Sequence, residues 1–246
     1  MDKTAICIVA NDNYWQTRYC IENLLHKTNL PVHLYILNNA TTDKRLLRFC
    51  DSICQAEGGL HIVKDTQVSY ATAKNELLSA VKEPYVCFVP ANLLLDDYWL
   101  DELHYIYDNV SDAGILSIRS KSERVELSAY VFGMKTGEDK MENAWFTENN
   151  SVEGLMFFSY DIVEKVGVYD CELGAKGFED DDYSFRVSAI GKKNFYIMKQ
   201  FACPIEVHSD VIFPKKTIEG LKNFKANIEQ MFKTKEYTKQ WTAVIK

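Results

Sequence analysis

Between residues 5 and 109, short apolar runs alternate with stretches of helical periodicity, and this alternation most narrows what the chain can fold into. Residues 5–10 (AICIVA) form a continuous apolar run of the kind expected for a strand buried on both faces, ended by Asn11-Asp12-Asn13. Residues 14–26 read as a helix, with Tyr14, Cys20, Ile21, Leu24 and Leu25 at helical spacing. A second strand over 32–37 (VHLYIL) ends in Asn38-Asn39-Ala40-Thr41-Thr42-Asp43. A helix over 44–56, a turn at Gly58-Gly59 and a short strand over 60–63 follow. Then come a helix over 71–81, a strand over 85–89 ended by Pro90, and a helix over 99–109 that Asp96 or Asp97 can cap. Strands alternating with helices of this length imply βαβ units and an α/β fold with a mainly parallel twisted sheet flanked by helices. In such sheets ligands bind beyond the carboxyl ends of the strands.

The 246 residues suffice for one large domain with a full core. A formal net charge of −7 argues against a nucleic-acid binder, which needs a basic surface. The charge is unevenly placed, because residues 214–246 hold eight lysines against three glutamates. The seven cysteines, Cys7, Cys20, Cys50, Cys54, Cys87, Cys171 and Cys203, are odd in number, and several fall in strand-like runs. They read as free thiols of a reducing cytoplasm, with Cys50-x-x-x-Cys54 too little for zinc. No signal-peptide region precedes the first strand, and no apolar run reaches the roughly 18–20 residues of a membrane span.

From about Gly114 the alternation fades. Residues 115–118 and 125–132 look like strands, and 134–150 is polar and reads as a mobile loop. Next come residues 152–159, a helix over 161–166, and strands near 195–198 and 205–208. Between them lies Gly177-Phe178-Glu179-Asp180-Asp181-Asp182-Tyr183-Ser184-Phe185-Arg186, four adjacent carboxylates before a helix-like run. A helix beginning near Asp181 would favour these charges through its dipole, by about 0.3–1 kcal/mol each. Asp182 and Arg186 would then pair at i,i+4, with Gly191-Lys192-Lys193 closing the helix. Such a cluster suits a site in which one carboxylate accepts a proton and others orient ligands. Crowding should raise the pKa of at least one of them.

The order of motifs resembles the GT-A fold glycosyltransferases, especially family 2, over roughly residues 4–210. Cys7-Ile8-Val9-Ala10-Asn11-Asp12-Asn13 is similar to the first strand and turn that approach the nucleotide, and residues 34–43 to the apolar strand with D-N-x-S-x-D. Ala73-Lys74-Asn75 resembles the A-R-N helix, with residues 85–89 as the strand that bears D-x-D. Residues 154–158 with 166–170 look like the segment on the acceptor side. Glu179-Asp180-x-Asp182-Tyr183-x-x-Arg186 matches E-D-x-D-aromatic-x-x-R, and the G-x-E-D-D-D opening also resembles the β-galactosyltransferases.

The resemblance implies a GT-A domain over residues 1–213, with a nucleotide-binding half (1–112) and an acceptor and catalytic half (113–213), then a basic amphipathic helical tail (214–246). It implies transfer of a sugar from a nucleotide-sugar, a UDP-sugar foremost, to a hydroxyl of a glycan, lipid-linked or protein acceptor, with inversion. Asp180 would be the base and Glu179 would orient the acceptor or substitute. Ala10, Asn11, Asp12, Asn38, Asn39, Lys74 and Asn92 would bind the nucleotide-sugar, and Gly154, Asp182 and Arg186 would face the acceptor. Where the family has D-x-D this chain has Pro90-Ala91-Asn92, so Mn²⁺ or Mg²⁺ would depend on Asn92 and His208, a weaker set for a hard cation. Lys74, Arg119 or Lys176 could supply the charge instead. The alternative is a non-catalytic relative that binds the nucleotide-sugar or glycan. A nucleotidyltransferase is disfavoured because the first loop lacks a glycine-rich, basic phosphate cradle. The tail would dock on the domain, on a second subunit, or on the inner face of a membrane.

Overall fold

The computed structural model describes residues 3–120, 146–174 and 177–205, together with Asn223, Ala226, Asn227, Gln230, Met231, Lys233 and Thr234. Its first half repeats a strand–helix unit. Strands β1 (Thr4–Ala10), β2 (Val32–Asn39), β3 (Leu60–Lys64) and β4 (Tyr85–Phe88) run parallel in the order β3-β2-β1-β4. They are linked by α1 (Tyr14–Lys27), α2 (Lys44–Ala56) and α3 (Tyr70–Ala80). Each helix opens on a side-chain cap: Asn13 accepts from the Gln16 N–H, Asp43 from Arg45 and Ser69 from Thr72.

Beyond β4 the sheet continues as β8 (Met156–Ser159), β6 (Ala113–Ser120), β9 (Lys193–Pro204) and β5 (Leu93–Leu95), and β7 (Phe146–Asn149) pairs with β9. Of these pairings β6–β9 is parallel, whereas β8 runs antiparallel to both β4 and β6. Helices α4 (Trp99–Asn109), α5 (Tyr160–Val166), α6 (Cys171–Gly174) and α7 (Glu179–Ala189) complete the layers.

The apolar pattern of β1 follows from its position. Ile6, Ile8 and Ala10 face a core formed with Cys20, Ile21, Leu24, Leu46 and Trp99, while Ala5, Cys7 and Val9 face one with Ala73, Leu77, Tyr183 and Val187. A strand covered by helices on both faces has no polar side, hence its unbroken apolar run. On the second face α6 approaches α3 so closely that a Cβ on Gly174 would come within 2.3 Å of the Ala71 Cβ. Asn75 of α3 ties this region down. Its amide donates to the Tyr169 carbonyl (2.9 Å) and accepts from the Tyr169 N–H (2.8 Å).

Several expectations are corrected. The polar stretch 134–150 ends in a strand, β7, because the long β9 offers an edge for it. Neither β5 nor α6 was expected; each spans only three or four residues, too few to show a period. Helix α4 is not capped by Asp96 or Asp97. Its cap residue is Tyr98 at φ +63°, and Asp97 pairs with Lys27 (2.8 Å). Helix α7 begins two residues before the expected Asp181. Residues 125–132 and 206–208 lie outside the described residues. The described tail residues are helical; Met231 is buried, and Asn227 donates to Asp170 at 3.3 Å. Cys7, Cys20, Cys50, Cys54 and Cys87 are free and buried, as the apolar context implied, and Cys171 is free and exposed. Among the described residues, no helix is long and apolar enough to cross a membrane.

Asn75→Ala strands both backbone groups of Tyr169 in the core. It should lower unfolding stability in urea by about 2–4 kcal/mol, and a loss near zero would remove this tie from the fold.

Candidate active site

The first turn of α7 holds four carboxylates, set against three side-chain partners: Arg186, Ser151 and Lys74. Asp182 and Arg186 pair at 2.8 Å with both side chains at 0% exposure, and Arg186 also donates to the carbonyls of Val166 (2.6 Å) and Val168 (2.9 Å). Asp181 is buried and accepts from the Ser151 hydroxyl at 2.6 Å. Asp180 pairs with Lys74 through one carboxylate oxygen and accepts from the Gly154 N–H at 3.3 Å through the other. Glu179 lies 3.9 Å from Lys74, and its Oε2 is buried without a hydrogen-bond partner among the described residues.

These positions sort the expected roles. Asp182 and Arg186, expected at the acceptor, are wholly buried and tie α7 to the carbonyls of Val166 and Val168. Gly154 takes part through its backbone, at φ +83°, a conformation that glycine adopts readily. Asp180, whose side chain is 15% exposed, and Glu179 are brought together by the same ammonium. Burial pushes the Glu179 carboxyl up to about 7, the Asp180 charge adds to this, and Lys74 opposes it. Crowding contributes to that rise, but desolvation is the larger cause.

Beyond the carboxyl edge of the parallel strands lies a small cleft, partly open to solvent, with about 10 Å³ of room for a water-sized occupant, lined by Val9, Asn11, Asn13, Gln16, Thr17, Tyr70, Ala91 and Asn92. Asn11 and Asn92 are the only two of the seven expected nucleotide-sugar residues among this lining. Asp12 accepts from the Thr41 hydroxyl and the Thr42 N–H, and Asn39 exchanges bonds with the backbone of Val68 (2.9 and 3.0 Å); both tie loops around the cleft. Ala10 and Asn38 are fully buried, and Asn38 meets His61 at 2.6 Å. Lys74 lies behind the lining, with its ammonium 5.4 Å from the centroid of Tyr70, which joins the cleft to the carboxylates. Motif reading included Asn13 in the first turn but missed Gln16, Thr17 and Tyr70. The helix-cap position of Asn13 after a parallel strand could have marked Gln16 and Thr17; nothing in sequence marks Tyr70.

No protein-family model matches the chain, and no curated protein matches it by sequence. Solved structures do match. GalNAc-T7 with UDP, GalNAc and Mn²⁺ superposes with a TM-score of 0.70 at 9% identity, over 95% of this chain and 49% of that one. TarS residues 1–349 of S. aureus with UDP-GlcNAc gives 0.67 at 12%, over 92% and 66%. The mannosyltransferase PcManGT of Pyrobaculum calidifontis with GDP-Man and Mn²⁺ gives 0.65 at 12%, over 96% and 65%. The chain has the GT-A fold. It spans about half of the GalNAc-T7 chain and just under two thirds of the other two.

Two of these GT-A structures contain Mn²⁺. The described residues of this chain do not fit such a cation. Among them no three His, Cys, Asp or Glu side chains stand close enough to hold a metal, and Asn92 offers a neutral amide. Asp12 and Asp180 are engaged by the Thr41–Thr42 loop and by Lys74. His208 and Lys176 lie outside the described residues, as does the side chain of Arg119.

The Glu179 carboxyl makes stability depend on pH. The folded protein holds its proton up to about pH 7, whereas the unfolded chain releases it near the usual 4.5. This contribution is complete below about 4.5 and is lost as pH rises through 7, at most about 3 kcal/mol in all. Glu179→Gln should therefore match the parent in thermal midpoint at pH 5 and exceed it at pH 8; equal midpoints at both would place the carboxyl in a less desolvated setting.

Proposed function

We propose that the protein is a glycosyltransferase that moves a sugar from a nucleotide-sugar to an acceptor hydroxyl with inversion, using Asp180 as general base. One observation carries this reading: Asp180 is held between an ammonium and a backbone N–H, behind a cleft at the carboxyl edge of the parallel strands of a GT-A fold. The donor would lie across the mouth of this cleft, where Asn11 and Asn92 offer amides to its polar groups. An acceptor hydroxyl at Asp180 would lose its proton to the carboxylate as its oxygen attacks the anomeric carbon. The nucleoside diphosphate would leave from the opposite face. Glu179, with a carboxyl near 7, would hold its proton over part of the neutral range and could donate a hydrogen bond to the acceptor. The donors in the neighbouring structures, UDP-GlcNAc and GDP-mannose, are the first to try. A UDP-sugar, the nucleotide of two of the three, is favoured.

A second reading, a binder of nucleotide-sugars without transfer, is favoured by the neutral Pro90-Ala91-Asn92 turn. Nucleotide-sugar turnover separates the two. In the first, Asp180→Asn lowers turnover by at least about 100-fold while the thermal shift induced by the donor persists. In the second, the parent protein binds and never turns over. Undiminished turnover in Asp180→Asn would remove Asp180 as base.

The donor set around Asn92 also bears on metal. The thermal shift with UDP-GlcNAc or GDP-mannose should be as large in chelator as with Mn²⁺. A shift that vanishes in chelator would show that the protein completes a metal site with residues beyond those described.

A further inference from the structure

Lys74 is 3% exposed, an unusual setting for an ammonium. Three aromatic rings surround it, with centroids 4.8 Å away for Tyr169, 5.4 Å for Tyr70 and 5.8 Å for Phe88. Ring faces attract a cation but do not neutralise it, and a buried charge left unpaired is costly. The partner that neutralises it is Asp180, in direct contact, while Glu179 stands 3.9 Å away. The rings are themselves fixed. Tyr169 stacks on Tyr183 at 4.3 Å and is gripped by Asn75, and the Tyr70 hydroxyl donates to the Val9 carbonyl at 3.4 Å. The ammonium is therefore a nearly immobile point charge, delivered by α3 to the first turn of α7.

We propose that Lys74 is the positioning residue of the base: its caged ammonium fixes the Asp180 carboxylate against the Gly154 N–H. This differs from the donor contact expected of Lys74 by sequence, and its catalytic meaning rests on the glycosyltransferase reading. Each Asp180 oxygen spends one lone pair on a fixed donor, so the carboxylate cannot rotate freely and keeps acceptor capacity for a hydroxyl. Holding a reacting group in one orientation lowers the barrier by removing the search for it. Losing Lys74 would thus slow turnover without loosening the donor.

Two measurements test this on the full chain, with Lys74→Met, Asp180→Asn and the double variant. Urea unfolding should reveal coupling, the double variant being at least about 10-fold more stable in its folding constant than the sum of the single losses. Release of nucleotide from UDP-GlcNAc or GDP-mannose should fall at least about 10-fold in kcat for Lys74→Met, with KM within about two-fold. Lys74→Arg should recover part of that loss, and the double variant should be no slower than Asp180→Asn. Lys74→Gln carries the same cycle if the methionine variant does not fold. Absence of coupling overturns the proposal, as does a raised KM at unchanged kcat, which would make Lys74 a donor ligand. Coupling in a protein that turns over neither donor keeps the clamp and removes the transferase reading.

Discussion

Four carboxylates in one helical turn repel one another, and the surroundings of the site are largely the set of partners that makes this tolerable. The dipole of α7 favours all four by a few tenths of a kcal/mol to about 1 kcal/mol each, too little to offset burial. Arg186 therefore takes Asp182, Ser151 takes Asp181, and Lys74 takes Asp180 with Glu179 nearby. The Asp182–Arg186 pair anchors the helix to the carbonyls of Val166 and Val168, so α7 is pinned at its buried side while its first two acids meet α3.

The same economy of partners shapes the cleft. Turn residues that by type could touch a nucleotide are spent on the loops instead: Asp12 on Thr41 and Thr42, Asn39 on Val68. What remains to line the space is the neutral set of Asn11, Asn13, Gln16 and Asn92, with Tyr70 at the back. The two halves of the site thus differ in character: one holds paired charge under aromatic rings, the other neutral amides. A divalent cation has no ready seat among the described residues on either side, though two structures of the same fold contain one.

A fold shared at 9–12% identity over more than nine tenths of this chain shows how little of a GT-A sheet depends on particular residues. Its strands need apolar side chains on both faces, and many sequences meet that demand. Function lives in the site placed on such a fold, and the candidate here is the cluster of Asp180, Glu179 and Lys74.

The sequence by itself determined the alternation of β1 to α4, because periodicities of 2 and 3.6 are local properties of adjacent residues. It also determined the Asp182–Arg186 pair, a matter of i,i+4 spacing. Short elements such as β5, β7 and α6 escaped it, since three or four residues pair only where an edge or a neighbouring helix awaits them. The tertiary structure alone decided which of the four carboxylates stays accessible, and that Lys74, 106 residues away from Asp180, meets it. It also decided that Asn38 and Ala10 sit in the core while Gln16 and Tyr70 reach the cleft. Burial, direction and long-range charge pairing depend on where distant segments pack, and no local pattern encodes them.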